Sequence, residues 1–227
     1  MSAYFGAQTL RFFADLERHN ERAWFHANKA RYEEHVRAPF LRLIADLAAP
    51  LQAISPHMTA EPKAVGGSLF RIQRDTRFSG NKAPYKTWAG ARFAHERGRE
   101  VPAPVFYLHL QPGRSFLGGG LWHPEPPVQR RIREFIVDNP DAWKRAVHSS
   151  AFRKRFVMDG DTLVRAPRGF DPQHPLLEDL KRKDFVASQP LDDAAITGPR
   201  LRQQVVSGFT AAAPLLDYLC AALELEF

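Results

Sequence analysis

The chain of 227 residues predicts an α+β fold, a largely antiparallel central sheet covered by N-terminal, middle and C-terminal helices in one compact domain over residues 1–227. Three observations carry the prediction. Apolar residues recur every three or four positions toward both ends of the chain, and residues between Ser68 and Trp122 alternate with the period of a strand. The strands also follow one another, instead of alternating with helices as βαβ units require. With 44% hydrophobic residues the chain is long enough to bury a full core.

Leu10, Phe13 and Leu16 set a short amphipathic helix from Thr9 to Leu16 that ends near His19. Asn20 suits the N-cap of a second helix, whose buried stripe is Trp24, Tyr32, Val36, Phe40, Leu43, Leu47 and Leu51. Pro39 lacks a backbone donor and predicts a kink or break near Arg37 and Ala38. Beyond Pro62, Gly66-Gly67 reads as a turn and Ser68 to Arg74 as a strand, with Phe70 and Ile72 on one face. Asp75 to Lys86, carrying Gly80, Asn81 and Pro84, reads as an irregular loop, and Thr87 to His95 as the next strand.

Val105 to Leu110 is the clearest strand, with Phe106, Leu108 and Leu110 on one face and Val105, Tyr107 and His109 on the other. Pro112-Gly113 turns the chain into a strand from Ser115 to Trp122 that contains Gly118-Gly119-Gly120. Glycine weakens a strand interior, so either a side chain or a ligand is expected against that bare backbone. Pro126 and Pro127 open a helix through Val128, Ile132, Phe135 and Ile136, and Asn139-Pro140 opens another that runs to about Phe156. A strand from Thr162 to Arg165, a helix from Leu176 to Lys183 and a strand from Phe185 to Ser188 follow. The last helix, after Gly198-Pro199, carries Leu201, Val205, Phe209, Ala212, Leu216, Leu219 and Leu223 as a core-facing stripe.

Thirty-two basic against 25 acidic residues leave a net charge of +7, which favours anionic partners. Cys220, the single cysteine, rules out an internal disulfide and sits among Leu219, Ala221 and Leu223 as a small buried residue does, which fits a reducing compartment. The N-terminus lacks a basic segment followed by an apolar core. Ala211 to Leu225, broken by Pro214, Asp217 and Glu224, falls short of the roughly 20 apolar residues of a membrane span. A cytoplasmic protein without a membrane partner is expected. His-Glu-x-x-His, paired cysteines, a P-loop, a dinucleotide fingerprint and a Gly-x-Ser-x-Gly elbow are all missing, so neither a metal nor a cofactor is expected.

The segment from Arg71 to Trp88 sets Arg71, Arg74, Arg77, Lys82 and Lys86 against Asp75 alone. Clustered cations repel unless an anion lies between them, so Arg71, Arg74, Arg77, Lys82 and Lys86, with Ser79 and Tyr85, are candidate ligands for a phosphate or carboxylate. Arginine's fork would hold it bidentately and lysine as a point charge. Phe78, Tyr85 and Trp88 can stack on a ring or anchor the core. His109 and Tyr107 share a strand face and are candidates for a general acid and a positioning hydroxyl, with Asp75 orienting the imidazole. His123 and His174, each beside proline, suit turn roles.

Asn20-x-Arg22-x-Trp24-Phe25 with Lys29 and Tyr32, then Gly67-x-x-Phe70-Arg71-Ile72-x-Arg74-Asp75-Thr76-Arg77-Phe78-Ser79, Lys82-x-Pro84-Tyr85-Lys86, Gly118-Gly119-Gly120 and Gly169-Phe170 through His174-Pro175, resemble the domain-of-unknown-function family 2461. The likeness spans nearly the whole chain. It implies one bacterial-type domain and supplies no reaction, so whether the protein is an enzyme stays open. Three functions remain: a binder of a small anionic ligand, with or without acid–base catalysis; a nonspecific nucleic-acid-binding module; and a structural or interaction protein whose basic run is an ion-pair network. Oligomeric state is not encoded in any of these signals.

Overall fold

The computed structural model describes residues 3–77 and 80–227. The chain begins with α1 (Ala7–Arg18), α2 (Arg22–Ala27), α3 (Lys29–Tyr32), a π turn (Glu33–Arg37) and α4 (Ala38–Ile54). The break expected at Pro39 is this π turn, and its cause is local. An uninterrupted helix would pair the carbonyl of His35 with the N–H that proline lacks. Thr9 Oγ1 of α1 donates to that carbonyl at 2.7 Å instead. Arg37 Nη1 reaches Glu33 Oε1 at 2.7 Å across the same turn.

Six strands follow: β1 (Met58–Thr59), β2 (Ala89–His95), β3 (Val105–Leu110), β4 (Ser115–Leu121), β5 (Val157–Asp159) and β6 (Phe185–Leu191). They form one antiparallel sheet in the order β1-β2-β3-β4-β6-β5. Between and after them lie α5 (Pro126–Asp138), α6 (Pro140–Trp143), a second π turn (Lys144–His148), α7 (Ser150–Arg153), α8 (Leu177–Leu180), α9 (Asp193–Thr197) and α10 (Leu201–Ala222). This is an α+β domain with helices as expected at both ends and in the middle.

Alternation sends Ala91, Phe93, Phe106, Leu108 and Leu117 to one face of the sheet, where all are buried. α10 lies across that face. Phe209 stacks on Phe106 with ring centres 4.7 Å apart and meets Phe93 edge-on at 5.3 Å. By length and composition α10 could cross a membrane; in this fold its apolar residues are buried against the sheet and α4. Burial also pushes the Cys220 thiol up to about 12. The opposite face stays half open: Arg92 is exposed, and Tyr107, Phe116 and Ser188 are half-buried.

The glycine triplet admits the protein's own atoms. A Cβ on Gly119 would stand 2.8 Å from Leu216 Cδ1 of α10 and 2.9 Å from the Val105 carbonyl, and one on Gly118 or Gly120 would run into the backbone of β6.

Several expected elements take another form. Ser68 to Arg74 is not a regular strand: it makes isolated bridges, Leu69 to Ala91 and Gln73 to Tyr85, that fold the basic run back on itself. Asn20 does not cap α2, whose N-cap is Glu21. Thr162 makes a single bridge to Arg182, and the strand in that region is β5. The helix expected from Leu176 to Lys183 is the single turn α8, while β6 extends to Leu191.

His123 and His174 occupy turns. His123 has φ +48, and its N–H donates to the fully buried Asp184 Oδ1 at 2.6 Å. His174 Nδ1 accepts from the Leu176 N–H at 3.1 Å.

Candidate functional site

The basic run borders a cleft of about 580 Å³ between the C-terminal end of α1 and the loop leading into β2. Its wall holds Arg74, Asp75, Tyr85, Lys86 and Trp88 from the run, Glu17 from α1 and Asn20 from the corner between α1 and α2. Asn20 joins the two sides. Its Nδ2 donates to the Tyr85 carbonyl at 2.9 Å and its Oδ1 accepts the Tyr85 N–H at 3.0 Å, so one side chain imitates a neighbouring strand. Tyr85 is buried, its ring stacked 4.2 Å from Phe25 of α2.

The five cations do not meet at one point. Arg77 closes on Asp75, Nε to Oδ1 at 3.0 Å and Nη2 to Oδ2 at 2.7 Å, and this pairing holds the Asp75 carboxyl below its usual range. Lys82 Nζ donates to the Thr76 carbonyl at 3.0 Å. Lys86 Nζ donates to the Arg71 carbonyl at 2.6 Å and lies over the rings of Trp88, at 5.2 Å, and Phe70, at 5.6 Å. Arg71, Arg77 and Lys82 are not part of the cleft wall. Ser79 and Phe78 lie outside the described residues.

Lys86 is the half-buried lysine of the run. Burial, and then the nearby Arg71 charge, lower its pKa. Among the described residues no carboxylate pairs with it; a carbonyl dipole and two ring faces take that place.

Tyr107 and His109 do come together. Tyr107 Oη stands 3.0 Å from His109 Nδ1, and His109 Nε2 stands 3.1 Å from Gln111 Oε1. With the Gln111 amide oxygen turned toward Nε2, the arrangement assigns the proton to Nε2 and leaves Nδ1 to accept from the tyrosine hydroxyl. Burial lowers the His109 pKa, partly offset by Gln111, and burial raises that of Tyr107. Asp75 does not orient the imidazole: it is engaged by Arg77, and Gln111 stands in the expected place. Residues 107, 109 and 111 share one face, so the period of two was the signal that could have found Gln111.

The His109 ring is stacked on Phe116 at 4.7 Å and lies 4.8 Å from Trp88. Tyr107 and His109 do not line the cleft; Trp88 separates the pair from it.

A larger cleft, of about 710 Å³, opens where β6 leads into α9 and α10 and escaped the sequence reading. Two of its polar side chains serve the fold, while Gln204 Oε1 on the same wall is buried without a hydrogen-bond partner among the described residues. Arg155 Nη1 donates to Ser207 O and Oγ, both at 3.1 Å, and Asp192 caps α9 by accepting the Ala195 N–H at 2.6 Å. The smaller cleft gathers Arg74, Asp75 and Lys86 of the basic run, and Lys86 is half-buried with no carboxylate partner among the described residues, which makes this cleft the candidate site.

An antiparallel sheet backed by one long helix, with a basic loop clamped to an N-terminal helical arm, defines the class of protein. The family of conserved hypothetical proteins DUF2461 matches residues 8–218, and the chain belongs to it. Among curated proteins none matches the chain.

Proposed function

We propose that the protein binds a small ligand bearing a phosphate or carboxylate in the cleft beside Asn20, with Lys86 and Arg74 as the residues that receive it. The observation that carries this reading is Lys86: a half-buried ammonium on the wall of a ligand-sized cleft, its pKa lowered by burial and by Arg71. An anion beside it relieves both effects, since an opposite charge favours the protonated form. The cleft's volume falls within the range of small-molecule sites, roughly 300–1,000 Å³. The Tyr107–His109 pair stands behind Trp88, so the reading is one of binding.

The test is a thermal-shift series of the full chain with inorganic phosphate, sulfate, small carboxylates and short oligonucleotides at two salt concentrations. Saturation at a hundredfold excess over Kd stabilises by about 2.7 kcal/mol. This stabilisation is expected in the wild type and is expected to vanish in Lys86→Met, whose unliganded melting temperature should be equal or higher. A shift with short oligonucleotides alone, steeply lost with salt, would favour the nucleic-acid module. No shift with any anion would leave the basic run as an ion-pair network.

A further inference from the structure

The cleft is not uniformly cationic. Glu17 lines it, and Glu17 stands in the last turn of α1, where the helix's unpaired carbonyls are already negative and an acid is disfavoured. Its carboxylate is exposed and makes no ion pair or hydrogen bond among the described residues. Asp75, the other acid on the wall, is occupied by Arg77. One wall therefore combines a carboxylate with a negative helix end, and the other carries Lys86 and Arg74.

We propose that the ligand is a zwitterion, with a primary ammonium group received by Glu17 and a carboxylate or phosphate received by Lys86 and Arg74. This rests on the anion-binding reading above and narrows it. A plain anion meets attraction from Lys86 and Arg74 and repulsion from Glu17 and the α1 carbonyls. A ligand with an ammonium group turns that repulsion into a charge-assisted hydrogen bond. Sequence alone does not nominate Glu17, because on an amphipathic helix an exposed acid looks like part of the solvated face.

Matched ligand pairs test the inference by calorimetry on the full chain: phosphoethanolamine against ethyl phosphate, and β-alanine against propionate. In the wild type the amine-bearing member is expected to bind about three- to tenfold tighter, the scale of one exposed charge-assisted contact. In Glu17→Gln the preference should disappear, with ethyl phosphate bound as well as before or better. Equal affinities within each pair in the wild type, or a preference that survives Glu17→Gln, would overturn the zwitterion proposal while leaving anion binding intact. Failure of the wild type to bind any of the four would overturn the anion-binding reading and the proposal together.

Discussion

Replacing Asn20 with alanine removes the acceptor of the Tyr85 N–H and the donor to its carbonyl, the bonds of 3.0 and 2.9 Å that join the α1–α2 corner to the basic loop. Tyr85 is only 6% exposed, so both main-chain groups would be left largely without water. An unpaired buried peptide group costs about 1–3 kcal/mol, and the adjoining cleft lets water reach part of this pair, so a total loss of about 2–4 kcal/mol is expected. For a domain of this size that corresponds to roughly 5–15 °C in melting temperature. Urea unfolding followed by tryptophan fluorescence reads the loss as a lower midpoint at unchanged slope. Asn20→Asp should be no better, since it keeps the acceptor but sets an anion opposite the Tyr85 carbonyl. A loss below about 0.5 kcal/mol, the scale of an ordinary surface change, would refute the reasoning.

Gly119→Ala should destabilise by about 1–3 kcal/mol, because the new methyl meets Leu216 Cδ1 at 2.8 Å and the Val105 carbonyl at 2.9 Å, and that backbone group cannot rotate away. Equilibrium unfolding checks it, and a neutral result would mean that α10 can lift from the sheet at no cost. Burial lowers the His109 pKa from its ordinary 6.5, so the unfolded chain takes up this proton first as the solution is acidified. His109 thus contributes stability that is complete above pH 6.5 and is lost as the pH falls through its lower, folded value. NMR titration should show the His109 ring titrating below 6.5, and in His109→Gln the melting temperature should fall less steeply over that interval; an ordinary titration midpoint would contradict this account.

What the sequence revealed was local. β3 occupies the predicted Val105–Leu110 with its faces assigned correctly, because alternation is a property of the segment itself. The stripe of α10 and the disturbance at Pro39 were legible for the same reason. β1 and β5 span two and three residues, too few to show a period, and exist through their pairing with distant strands. Asn20 has the residue type of a cap, yet its partner lies 65 positions away and no neighbouring residue announces it. At the glycine triplet the sequence stated that something comes close, and the three-dimensional packing decided for α10 and β6 over a ligand. The basic run was legible as the address of a cleft. That its cations would not converge was hidden, because main-chain carbonyls that no side-chain pattern reports took up Lys82 and Lys86.

The hydroxyl of Thr9 and the missing donor of Pro39 meet at the His35 carbonyl, and this contact makes a statement about ancestry as well as geometry. A descendant that keeps proline at position 39 gains from keeping serine or threonine at position 9. One that replaces the proline recovers a helical donor and leaves the position 9 hydroxyl with the Gly6 N–H alone to hold it in place. The proline therefore depends on the hydroxyl more than the hydroxyl depends on the proline, and a lineage with proline at 39 and an apolar residue at 9 would have to supply the donor from elsewhere.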